Sequence, residues 1–124
     1  MRKVLIADDE PNIVLSLEFL FRKQGFTVLI ARNGAEARAI LEQHQLDLIV
    51  LDIMMPDEDG YSLCRHIRNL PSQLGAKVAF LSAKSKETDI SKGLETGADA
   101  YFTKPFSTRT LLAKMLELLD QPSS

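Results

Sequence analysis

The chain has 124 residues, 26% of them charged and 45% hydrophobic, with a formal net charge of −2 at pH 7. That is enough chain for one domain with its own core, but it lacks the basic excess that broad attraction to nucleic acid or an anionic membrane needs. A single cysteine, Cys64, excludes an internal disulfide, and no apolar run approaches the ~20 residues of a membrane span. The apolar run after Met1-Arg2-Lys3 is too short for a signal-peptide core, so the expected location is the cytoplasm.

Strand-like and helix-like segments alternate from end to end. Lys3–Ala7 is a short β-rich run ending in Asp8-Asp9. Residues 11–24 carry Ile13, Leu17, Leu20 and Phe21 at the spacing of one helix face, with Pro11 suited to the first turn and Gly25 to the stop. Thr27–Ala31 reads as a second strand, and residues 35–42 as a helix with Ala37, Ile40 and Leu41 inward. Residues 46–51 are apolar except Asp47, as in a strand buried on both faces, and Asp52 follows them. A helix over residues 61–69, with Leu63, Ile67 and Leu70 on one side, leads to a fourth strand over 78–81. Glu87–Glu95 is a weak helix, polar apart from Ile90 and Leu94, and contains Gly93. Ala100–Thr103 is a fifth strand, followed by Lys104-Pro105, and Thr108–Leu119 is the closing helix.

Five βα units imply a doubly wound parallel sheet with helices on both faces. The expected fold is α/β, flavodoxin-like, five strands in the order 2-1-3-4-5 with five helices, forming one domain over residues 1–120. Residues 121–124 read as a polar tail or the start of a linker. In such a sheet ligands bind beyond the carboxyl ends of the strands, at the switch point between strands 1 and 3. Those strands end at Asp8-Asp9 and at Asp52.

The turn after strand 1 is Asp8-Asp9-Glu10-Pro11 rather than a glycine-rich phosphate loop. Crowded acids repel one another unless a positive charge sits among them. A divalent cation is the economical partner, and Mg²⁺ prefers such oxygen ligands, with Mn²⁺ as an alternative. Capping of the following helix is the competing role, and Glu10 reads as capping or solvated. Asp52, at the end of the most apolar strand, can act as a nucleophile and take up a phosphoryl group. Lys104 can pair with Asp52 and then with the phosphoryl oxygens. Pro56 and Gly60 shape a turn beside the site, with Gly60 expected in a backbone conformation closed to other residues. Asp57, Glu58 and Asp59 read as solvated loop acids.

Asp8-Asp9, Asp52, Met55-Pro56…Asp59-Gly60, Ser82-Ala83 and Lys104-Pro105-Phe106, in this order across five βα units, resemble the receiver (phosphoacceptor) domain of bacterial response regulators. The resemblance spans essentially the whole chain. It implies that a histidine kinase or histidine phosphotransfer protein donates a phosphoryl group to Asp52. Mg²⁺ would be held by Asp8, Asp9, Asp52 and the backbone carbonyl of Met54. It also implies a cis Lys104–Pro105 bond, a switch hydroxyl at Ser82, and a switch aromatic at Tyr101 that turns inward. Output would pass through the helix 4–strand 5–helix 5 face, to a partner or a second copy, with no direct nucleic-acid or membrane contact. Such a protein modifies only itself and is not an enzyme in the ordinary sense. Met54 and Lys84 flank the implied phosphoryl pocket, where a bulky Met54 would hinder attacking water.

Two other readings share some of these residues. A phosphohydrolase of the haloacid-dehalogenase type also uses a strand-end Asp with Mg²⁺, but wants a second Asp two residues on, where Met54 stands, and a cap domain. A protein-binding module that works without phosphorylation has no need of the acid cluster, Ser82 and Lys104. His44 and His66 lack the setting of a phosphotransfer histidine and read as surface or packing residues. The closing helix has an apolar arc wider than the ~100° that packing alone needs, so the excess is either an exposed patch for a partner or second copy or packs under the tail.

Overall fold

A computed structural model of the protein describes residues 2–120; the expected tail at 121–124 lies outside them. The strands are β1 (Lys3–Ala7), β2 (Thr27–Ala31), β3 (Leu48–Asp52), β4 (Lys77–Ser82) and β5 (Ala100–Thr103). The helices are α1 (Pro11–Lys23), α2 (Gly34–Gln43), α3 (Gly60–Arg68), α4 (Glu87–Glu95) and α5 (Thr108–Leu119). All pairings are parallel and the strand order is β2-β1-β3-β4-β5, as the alternation of segments requires.

Two apolar clusters sandwich the sheet. Alternate strand residues Leu5, Ile49, Leu51, Val78 and Phe80 point to one side, where α2 and α3 supply Leu41, Leu63 and Ile67. Val4, Ile6, Leu48, Val50 and Leu81 point to the other, against Leu17 and Phe21 of α1 and Leu111 and Met115 of α5. Every residue of β3 is therefore buried, which is why that strand lacks polar alternation. Full burial of each such Leu, Ile or Phe contributes about 1.5–3 kcal/mol.

Local chemistry sets the element ends. Pro11 opens α1, and Gly25 just past its end takes φ 87°, a conformation that side chains rarely adopt. Asn33, Asp59 and Ser107 cap α2, α3 and α5 by accepting from the amides of Glu36, Ser62 and Thr110. Strand β3 starts two residues later than the apolar run suggests. Asp47 sits at the strand's entry, its amide donating to the Lys3 carbonyl and its carboxylate accepting from the Lys3 amide at 2.8 Å, while the Leu46 amide turns away to the buried Gln73 side chain. It also runs one residue further, so Asp52 pairs with Leu81 instead of following the strand. Leu70 lies beyond α3, ahead of a 3₁₀ turn at Pro71–Gln73 that the hydrophobic pattern did not announce.

The apolar excess on α5 is used internally. Leu111, Met115 and Leu118 are buried, while Leu112, Leu116 and Leu119 pack half-buried along the edge of the same cluster. The large exposed apolar side chains on helices belong instead to α1 (Leu15 and Phe19) and to α4 (Leu94). Among the described residues no helix is long and apolar enough to cross a membrane.

Candidate functional site

Strand register assembles the site. Ala7 pairs with Leu51, Asp52 with Leu81 and Ser82 with Thr103. The next residue along β1 is Asp8 and along β5 is Lys104, so Asp8, Asp52, Ser82 and Lys104 meet at the carboxyl edge of the sheet. Asp52, Ser82 and Lys104 border a cleft of about 240 Å³ that Asp9, Glu10, Met54 and Ala83 complete.

Lys104 lies among three carboxylates. Its Nζ stands 2.7 Å from Glu10, 3.3 Å from Asp8 and 3.6 Å from Asp52. Burial disfavours its charge, but hydrogen bonding to Glu10 and the fields of Asp8 and Asp52 outweigh this and raise its pKa. Asp8 and Asp52 are both buried. Desolvation pushes the Asp52 pKa up to about 6, against the Met54 amide that donates to its Oδ1 at 3.1 Å, and the negative charge of Asp8 adds to the rise. Asp8 is raised by the same desolvation, partly offset by the Glu10 amide at 2.8 Å and by Lys104.

One oxygen tests whether a cation belongs here. Asp8 Oδ2 is buried and accepts no hydrogen bond among the described residues, although the Lys104 ammonium is 3.3 Å away. The Lys104 ammonium is shared among three acids, so this buried oxygen is only partly compensated and a further positive partner would stabilise it. Oxygens of Asp8, Glu10 and Asp52 lie within 4.8 Å of one another. An all-oxygen anionic set of this kind fits a hard divalent ion such as Mg²⁺.

Of the three carboxylates expected to hold the metal, Asp8 and Asp52 belong to this trio. Asp9 is exposed, borders the cleft and raises Asp52 by its charge, but Glu10 takes its place in the tight trio. Glu10 occupies the N-cap position of α1 without capping it, and its carboxylate turns to Lys104 instead. That bond joins residues 94 apart in sequence, and no local pattern signals it.

Ser82 and Tyr101 hold the two ends of one residue. Ser82 Oγ accepts from the Lys84 amide at 3.1 Å, and the Tyr101 hydroxyl donates to the Lys84 carbonyl at 2.7 Å. Tyr101 stands turned inward, its ring 6.0 Å from Phe80 and half-buried, while Phe102 joins the opposite cluster. Tyr61, absent from the sequence reading of the site, packs on Phe80 at 5.6 Å and donates to the Asp89 carbonyl of α4 at 3.3 Å. Gly93 of α4 lies so close to this cluster that a Cβ there would stand 3.0 Å from both Phe80 and Tyr101.

The turn after β3 is more ordered than a string of solvated acids. Asp57 accepts from the Gly34 and Ala35 amides at 2.7 and 2.9 Å, clasping the start of α2. These bonds pull its pKa below the ordinary carboxylate value. Glu58 forms a two-pronged pair with Arg38, and Asp59 caps α3. Gly60 does not adopt positive φ, contrary to expectation. It is small because a Cβ would lie 2.6 Å from the Asp52 carbonyl oxygen. The Lys104–Pro105 bond is cis.

The family described as "Response regulator receiver domain" matches residues 4–116. A two-component response regulator from Clostridium difficile superposes with a TM-score of 0.92 at 28% identity, covering 98% of each chain. A CheY-like receiver domain protein from Methanospirillum hungatei JF-1 is 32% identical with a TM-score of 0.89, over 97% of this chain and 94% of that one. The BeF3-activated DrrB receiver domain is 31% identical with a TM-score of 0.89, over 98% and 99%.

Proposed function

Because the chain belongs to the response regulator receiver family, we propose that it is a phosphorylation-driven signalling switch with Asp52 as acceptor. The observation that carries this reading is a buried carboxylate at a strand end, beside an ammonium and an unsatisfied Asp8 oxygen. Asp8, Asp52 and the Met54 carbonyl, with Asp9 or Glu10 at the rim, are the groups to hold Mg²⁺. When bound, Mg²⁺ would neutralise charge between the acids and the phosphoryl oxygens.

The transfer is a displacement at phosphorus. An Asp52 carboxylate oxygen attacks, a P–O bond forms, and the P–N bond to a donor histidine breaks. The imidazole leaves with its electron pair and takes up a proton. A carboxylate must be ionised to attack, so its pKa of about 6 leaves it mostly reactive at neutral pH. Lys104 then meets a phosphoryl oxygen. The donor class is a histidine kinase or phosphotransfer protein, and the chain alters only itself.

Ser82 Oγ is the group that can turn toward the new phosphoryl oxygen. Doing so releases the Lys84 amide, whose carbonyl holds Tyr101. The Lys84 segment thus links the site to the α4–β5–α5 face, where Ile90, Leu94, Phe102 and Lys114 border a shallow groove of about 390 Å³. The phosphoryl group would bias an existing equilibrium of this segment, and with it an output contact. The similar receiver structure with BeF3, a phosphoryl mimic, supports the phosphorylation reading.

Amide NMR with Mg²⁺ and beryllofluoride tests the switch. Shifts are expected at residues 82–84 and 101 and across α4 and α5. Shifts confined to the cleft would contradict transmission to that face.

A further inference from the structure

We propose that Glu10 is a positioning residue that holds Lys104 at the rim of the cleft and competes with the phosphoryl group for it. This rests on the phosphoacceptor reading of Asp52. The shortest of the three Lys104 contacts, 2.7 Å, is to Glu10, and the longest, 3.6 Å, is to the acceptor itself. Glu10 is also the most open of the three acids, its side chain 55% exposed against 2% and 6% for Asp8 and Asp52. The ammonium is therefore drawn outward, and Asp8 Oδ2 stays without a hydrogen bond although Nζ is near it.

Helix capping does not explain this placement. Glu10 has extended backbone at the N-cap of α1, yet its carboxylate makes no capping bond and spans to the end of β5. A phosphoryl group on Asp52 needs Lys104 as counter-ion, so the Glu10 pair must loosen when the group arrives. Glu10 then acts as a brake on loading, and as a second home for Lys104 when the phosphoryl group leaves. Exposed ion pairs are weak, so the brake should change equilibria by about two- to fivefold.

The test is the affinity for beryllofluoride at saturating Mg²⁺ of the wild type, Glu10→Gln and Glu10→Asp, with Mg²⁺ affinity measured separately. The ¹³Cε resonance of Lys104 is followed in the metal-free proteins. Glu10→Gln should bind beryllofluoride about two- to fivefold more tightly at low salt, with the gain shrinking as salt screens the pair. Its Lys104 resonance should move in the free protein, and Glu10→Asp should lie between the other two. Equal or weaker beryllofluoride binding by Glu10→Gln overturns the proposal. If only Mg²⁺ affinity falls, Glu10 serves the metal instead. A gain with an unmoved Lys104 resonance assigns the effect to direct repulsion and overturns the route through Lys104. Failure of the wild type to bind beryllofluoride removes the receiver chemistry itself, and this proposal with it.

Discussion

Replacing Asp52 with Asn removes a buried charge that costs the metal-free fold stability. The carboxyl has a pKa of about 6 in the folded protein against 3.8 for an ordinary aspartate. A folded pKa above the unfolded one means that the native state binds the proton more tightly. Asp52 therefore costs no stability below about pH 4, and its cost grows as pH rises toward 6. Roughly two pKa units at 1.36 kcal/mol each put the full cost at about 3 kcal/mol above pH 7. Asparagine keeps an oxygen for the Met54 amide and never ionises. Asp52→Asn should thus be the more stable protein by about 3 kcal/mol at pH 8 without metal, roughly 10 °C in Tm for a domain of this size. The two proteins should converge near pH 3, where the carboxyl is protonated in both the folded and unfolded states. Mg²⁺ at one hundred times its Kd should restore about 2.7 kcal/mol to the wild type and much less to the variant. The assay is urea unfolding in chelator across this pH range, then with Mg²⁺. A stability difference that does not change with pH, or a wild type more stable than Asp52→Asn at pH 8, would refute the electrostatic reasoning.

Gly60→Ala puts a methyl 2.6 Å from the Asp52 carbonyl oxygen; a stability loss of about 1–3 kcal/mol in urea unfolding is expected, with slower phosphoryl uptake because the acceptor's own backbone must move. Asp57→Asn weakens the clasp on α2, so the Gly34 and Ala35 amides should exchange faster with solvent. Asp57 has a lowered folded pKa, so its contribution exists where it is ionised and is lost on acidification below the ordinary carboxylate range. The exchange difference should therefore vanish in acid, and a pH-independent difference would contradict the capping role. Met54, 64% exposed at the mouth of the cleft, is expected to shield an acyl phosphate from water. Met54→Asn and Lys84→Glu should shorten the phosphorylated lifetime in a dephosphorylation time course, and unchanged decay in both would remove that role.

Much of this fold is written in local pattern. A strand buried on both faces must be apolar throughout, which made β3 readable and placed Asp52 at its end. The spacing of Leu17 and Phe21 showed the inward face of α1, although buried Val14 escaped notice. What stayed hidden depends on contacts between distant segments. Gln73 is buried because it accepts from the Leu46 amide and donates to the carbonyls of Leu41 and His44. A polar residue two positions after a proline carries no sign of that. Asp57, Glu58 and Glu10 likewise look like solvated acids until the fold brings Gly34, Arg38 and Lys104 to them. Asp8, Asp52 and Lys104 were legible as a group because each ends a predicted parallel strand, and parallel strands end together.

Intact-mass spectrometry after incubation with acetyl phosphate addresses the phosphoacceptor assignment most directly. The wild type and Asp52→Asn are compared with Mg²⁺ and with chelator. The expected result is a single phosphoryl adduct that needs Mg²⁺ and is absent from Asp52→Asn. An adduct that persists in Asp52→Asn, or none on a folded wild type that binds Mg²⁺ and is offered phosphorylated histidine donors, would contradict it.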